Sequence, residues 1–173
     1  MAMKQTERIV SMKKLLLIFL TLLLILTLPA CSSPSYVDDA KLDTLADVIE
    51  GSVAKRRDYT TADDGALDDY FQTPDYVTDS LIRFSTEAKN LDEYGIFHVT
   101  DGNAADMAKL LQGYLDRSYE DNRAWYDSYM PEETPKLRDA EVRVFGNYVV
   151  YAVYSSADKD ALFNALHETL LQK

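Results

Sequence analysis

AEVRVFGNYVVYAVY, residues 140–154, decides the class of fold. Gly146 and Asn147 stand between two runs rich in β-branched and aromatic residues, the signal of a two-residue turn joining antiparallel strands. Counting outward from the turn pairs Phe145 with Tyr148, Val144 with Val149, Val142 with Tyr151 and Ala140 with Val153. Alternation along a strand then puts Ala140, Val142, Val144, Val149, Tyr151 and Val153 on one face, all suited to a core. Glu141, Arg143, Phe145, Tyr148, Val150, Ala152 and Tyr154 share the other. A slip of one residue would exchange the faces, so burial should hold this register.

Working outward, the next strands lie upstream. Leu81–Thr86 predicts one strand, with Ile82 and Phe84 on one face and Leu81, Arg83 and Ser85 on the other. Tyr94–Thr100 (YGIFHVT) predicts a second, with Phe97 and Val99 opposed to Ile96 and His98. Between these strands and the hairpin, Ala104–Tyr129 is the longest helical pattern. Met107, Leu110, Leu111, Tyr114, Leu115, Trp125, Tyr126 and Tyr129 recur at inward spacing. Asp101 or Asn103 is positioned to cap it, Gly113 costs it about 1 kcal/mol, and Met130-Pro131 ends it.

After the hairpin, Ser155 and Asp158 have capping-box spacing ahead of a helix over Ala157–Leu171. Leu162, Phe163, Leu166, Leu170 and Leu171 face inward there. Before the strands, Asp38 and Asp39 precede a helix carrying Leu42, Leu45, Ala46, Ile49 and Val53, closed by Lys55-Arg56-Arg57. Asp58–Gly65 and Glu132–Asp139 read as polar connections. The order from Leu81 is ββαββα. The expectation is an α+β fold of two layers: an antiparallel four-stranded sheet, the long and terminal helices on one face, and an added N-terminal helix.

The N-terminal region has a different character. Lys13–Cys31, KKLLLIFLTLLLILTLPAC, places two lysines before an apolar run from Leu15 to Leu28, then Pro29, Ala30 and the single cysteine. Fourteen residues of helix rise about 21 Å, short of the roughly 20 residues of a usual span. A basic start, a short apolar core and a small residue before the cut form the export pattern. Leu28-Pro29-Ala30-Cys31 resembles a lipobox, whose cysteine carries a diacylglyceryl thioether. The expected organisation is a lipoprotein signal over 1–30, a lipidated Cys31 and polar tether over 31–37, and one domain over 38–173. The expected address is the outer face of the bacterial cytoplasmic membrane. A retained membrane helix is the competing reading.

Charge narrows the partners. Residues 1–30 hold four of the 18 basic residues and one of the 29 acidic ones, so residues 31–173 carry 14 against 28, a net of −14. Such a surface repels phosphate backbones, which excludes nucleic acid as a partner. No zincin, phosphate-loop, nucleophile-elbow or paired-cysteine motif occurs, so no catalytic residue, cofactor or metal is expected. The aspartates 58, 63, 64, 68 and 69 lack the alternation of a calcium loop and read as a solvated run. His98 has no nearby Asp or Cys spaced as a ligand or triad partner, and His167 sits late in its helix, where its charge suits the C-terminal end.

Tyr94-Gly95-Ile96-Phe97-His98-Val99, Tyr129-Met130-Pro131 and Val144-Phe145-Gly146-Asn147-Tyr148-Val149-Val150 together resemble DUF4358, a family of lipoproteins found mainly in Firmicutes. The resemblance spans Val37–Leu171. It implies a lipid-anchored α+β domain and carries no active residue over. The expected function is therefore a non-catalytic binding or accessory module of the cell envelope, for a protein, peptide or glycan partner. The alternative is a carboxylate-dependent envelope hydrolase. With helices on one face only, the other would expose Arg143, Phe145, Tyr148, Val150 and Tyr154, extended by His98, as the candidate binding face. The first helix or the acidic loop folding across that face is the competing arrangement.

Overall fold

The hairpin forms in the counted register, with Phe145 opposite Tyr148, Val144 opposite Val149 and Val142 opposite Tyr151. Gly146 takes the left-handed conformation (φ +62°) that the tight turn requires. The computed structural model describes residues 34–55, 57–63 and 72–172. Cys31 and the expected signal lie outside the described residues, as does most of the acidic run. Among the described residues, no helix is long and apolar enough to cross a membrane.

Among the described residues the architecture is α+β, with four helices and a five-stranded antiparallel sheet. In chain order these are α1 (Leu42–Ser52), β1 (Tyr59–Thr61), β2 (Val77–Ser85), β3 (Glu93–Val99), α2 (Ala104–Tyr129), α3 (Thr134–Arg138), β4 (Glu141–Phe145), β5 (Tyr148–Val153) and α4 (Ser156–Leu170). The sheet order is β1-β2-β3-β5-β4, so β3 and β5 are interior. The long helix takes the expected limits. The fifth strand, β1, pairs with the end of β2 through Tyr59 opposite Ser85. It arises where the sequence reads as a polar turn, because three residues are too few to show a period.

Two layers become three. On one face of the sheet, Tyr94, Ile96, Phe145, Tyr148, Val150, Ala152 and Tyr154 pack with Leu42, Leu45, Ala46 and Ile49 of α1. Leu162, Phe163, Leu166 and Leu170 of α4 complete that cluster. On the other face, Ile82, Phe97, Val99, Val149, Tyr151 and Val153 pack with Met107, Leu111 and Leu115 of α2 and Leu137 of α3. The terminal helix is thus across the sheet from the long one, not beside it. The reason is area: the second hairpin face carries three aromatic rings, and the paired apolar stripes of α1 and α4 remove them from water.

Polar contacts lock this second layer. Ser155 Oγ accepts from Asp158 N at 3.2 Å as the helix cap, and Asp158 Oδ1 accepts from Ala54 N just past the end of α1. The two ends of the domain meet as well. Tyr36 bridges to Leu171, Gln172 N donates to Ser35 O and Val37 N donates to Leu170 O.

The edge strand gives a second correction. Val144 belongs to the face expected to be core, yet it is 42% exposed, whereas its partner Val149 is fully buried. β4 is the sheet edge, and the helix layer does not cover its turn end. Val149→Asp should therefore cost at least about 3 kcal/mol, since a charge must be desolvated in the core. Val144→Asp should stay within roughly 0.5 kcal/mol. Denaturant midpoints of the two variants test this; equal losses would contradict the covered and uncovered ends of the edge pair.

Candidate functional site

Of the residues expected to form an open binding face, most are interior. Phe145, Tyr148, Val150 and Tyr154 are each at most 4% exposed beneath α1 and α4. The Tyr148 hydroxyl donates to Ala40 O at 2.9 Å, and the Tyr154 and Tyr59 hydroxyls hydrogen-bond at 2.8 Å. Arg143 stays half-exposed, its guanidinium 4.4 Å from the Phe163 ring centre and its Nη2 3.0 Å from Glu141. His98 has partners that spacing could not reveal. Its Nε2 is 2.9 Å from Asp38 and its Nδ1 is 2.6 Å from Thr78 Oγ1. His167 Nδ1 lies 2.9 Å from the Tyr36 hydroxyl, so both histidines hold the segment that leads into α1.

The concave site lies on the opposite face. A cavity of about 400 Å³ separates the second half of α2 from the sheet. Beyond Leu115 no residue of α2 is fully buried, and Trp125 and Tyr129, expected inward, are 54% and 64% exposed. The row facing the cavity is Tyr114, Ser118, Asn122 and Tyr126 at spacing four. Its two middle members are too small to fill the gap that a Leu would close. This interruption is the signal in the sequence: an apolar stripe with polar residues where the period demands apolar ones.

The floor is Glu93, at the start of β3. Residues 93, 95 and 97 share this face, and position 95 is glycine. A Cβ there would lie 2.2 Å from Cε1 of Tyr151, its cross-strand partner. The absent side chain lets the Tyr151 ring lie over the backbone and reach Glu93 Oε1, to which its hydroxyl donates at 2.5 Å. Tyr114 donates to the same oxygen from α2 at 3.4 Å. Burial pushes the Glu93 carboxyl above its usual 4.5, against the two phenol hydrogen bonds, which pull it down. The Tyr126 phenol is raised too, by burial and then by the Glu93 charge.

Asp92 closes the end wall and is 3% exposed. It is held by Arg57 Nε and Lys136 Nζ, each at 2.7 Å. Lys136 also reaches Glu133 at 2.7 Å, and Glu133 accepts from Leu91 N. This network fastens the chain before β1, the β2–β3 turn and α3 to one another. Removing either cation would leave the buried Asp92 with one counter-charge in place of two. Among the described residues, no group of three or more His, Cys, Asp or Glu is arranged to hold a metal ion. The site is an aromatic-walled cleft with one displaced carboxyl, the form of a small-ligand pocket.

The raised Glu93 makes stability depend on pH. The folded chain keeps this proton above the value at which the unfolded chain loses it, so stability falls as pH rises from 4.5 towards the raised value. Glu93→Gln cannot ionise. The variant should match wild type near pH 4 and exceed it in stability at neutral pH. Thermal unfolding of both proteins across that range tests this; parallel curves would show that Glu93 titrates normally.

No curated protein and no solved structure matches this chain. One family model does: the Domain of unknown function (DUF4358) covers residues 52–154, from the end of α1 through β5 and past the full hairpin. The match takes in Glu93, Gly95, Tyr114 and Tyr151, and stops short of α4, narrower than the Val37–Leu171 span of the resemblance. With more than half its length matched, the chain belongs to the DUF4358 family.

Proposed function

We propose that this chain is a lipid-anchored lipoprotein on the outer face of the bacterial cytoplasmic membrane. Its domain would be a non-catalytic binding module with the Glu93 cavity as its ligand site. The observation that carries the binding reading is the cavity itself: aromatic walls, a few convergent polar groups and a carboxyl displaced by burial. Its size suits a small organic molecule or the terminal group of a peptide or glycan. Support for the address comes from the order of basic, apolar and small residues ending at Cys31. One acyl chain binds a membrane marginally, and a diacylated cysteine supplies two.

The hydrolase alternative has one observation in its favour, the upward push of burial on the Glu93 carboxyl, the direction a general acid requires. Among the described cavity residues it lacks a free second carboxylate. Asp92 is committed to Arg57 and Lys136, so binding is the better-supported reading.

Two experiments test the two halves. Cys31→Ser should abolish incorporation of a fatty-acid analogue and release the protein from the membrane fraction or leave it unprocessed; equal labelling of variant and wild type would defeat the anchor. Ser118→Phe places a ring in the cavity from α2. It should eliminate saturable binding of small fragments, followed by amide shifts at Glu93 and Tyr151, with the fold intact. Fragments that perturb variant and wild type alike would place binding elsewhere.

A further inference from the structure

The cavity also points to a class of ligand, an inference that rests on the binding reading above. Its described lining contains two carboxyl residues, Asp92 and Glu93, and no Lys or Arg. The nearby cations are spent: Arg57 on Asp92 and Glu87, Lys136 on Asp92 and Glu133. An anionic ligand would meet these carboxyls with no uncommitted Lys or Arg among the described lining residues. On Glu93 itself, both phenols converge on Oε1. Among the described residues, no donor reaches Oε2. The carboxyl thus keeps one oxygen without a donor among the described residues, in an aromatic-walled cleft.

We propose that the cavity recognises an organic ammonium group, with an N–H of the ligand donating to Glu93 Oε2 and its cationic head lying against tyrosine rings. The walls suit this role. The Tyr114 and Tyr151 rings stand 6.0 Å apart at 60°, and Tyr126 closes the helix side. Aromatic faces attract cations, more strongly when water is excluded. The ammonium's positive charge favours the ionised carboxylate, against the burial that disfavours it. Other titratable groups facing this carboxyl are the phenols of Tyr114, Tyr126 and Tyr151. Asp92 also lines the cavity, with its ion-pair partners already in place. The acidic domain surface would raise the local concentration of such a cation.

The test compares three probes of one shape on the full chain in a maltoside detergent: benzylammonium, benzyl alcohol and benzoate. Amide shifts at Glu93, Tyr151 and Ser118 are followed by NMR. Benzylammonium should bind at least about tenfold more tightly than benzyl alcohol, and benzoate should leave the cavity unperturbed. Glu93→Gln should reduce benzylammonium to the level of the alcohol. If the alcohol or benzoate binds as tightly as the ammonium, the ligand class is wrong while the cavity remains a binding site. If none of the three perturbs these residues in wild type but other fragments do, the ammonium proposal also falls. Absence of any cavity ligand defeats both this proposal and the binding reading.

Discussion

Every residue of β5, from Tyr148 to Val153, is at most 2% exposed, although the strand belongs to an antiparallel hairpin. Strands of such sheets often leave one face to water. Here Val149, Tyr151 and Val153 demand cover on one side, and Tyr148, Val150 and Ala152 on the other. That demand shapes the rest. It places β5 inside the sheet between β3 and β4, draws α2 over one face, and requires α1 and α4 together over the second. The meeting of residues 35–37 with 170–172 follows, because the start of the domain and its last helix are partners in one layer.

The cavity is a consequence of how the opposite layer is filled. Met107, Leu111 and Leu115 close the first half of the contact between α2 and the sheet. Further along, Ser118 and Asn122 take the inward positions, and the sheet answers with Glu93 and Tyr151 in place of aliphatic residues. Gly95 makes this floor possible, since any side chain there would displace the Tyr151 ring. A core built only for stability would put leucines at those positions. The polar substitutions lie within one open space, and its outer wall is braced by the Asp92 ion pairs.

The family match bears on which parts of the fold travel together. It covers the sheet, α2 and the cavity floor, and leaves out most of α1 and all of α4. The layer that buries Phe145, Tyr148 and Tyr154 is thus built largely from segments flanking the matched region. Within this chain that layer is held by specific contacts, among them the Asp158 cap on α1 and the Glu50 carboxylate, which receives Tyr94 and Arg83 at 2.7 Å each.

What the sequence by itself determined were the elements governed by local periods. The hairpin register followed from the Gly146-Asn147 turn, the limits of α2 from its spacing and Pro131, and the α4 cap from Ser155 and Asp158. Backbone geometry sets these within a few residues, so a linear reading reaches them. The tertiary structure alone decided which helix covers which face, because an apolar stripe records that it must be buried and not against what. It also decided that Val144 and Trp125 meet water, since exposure at an edge depends on how far a neighbouring layer extends. The pairs Asp38–His98 and Asp92–Lys136 are separated by 60 and 44 residues, and Glu93–Tyr151 by 58. No local spacing encodes such contacts; Glu93–Tyr151 comes from the sheet order that joins β3 to β5, and the other two from the segments that pack beside it.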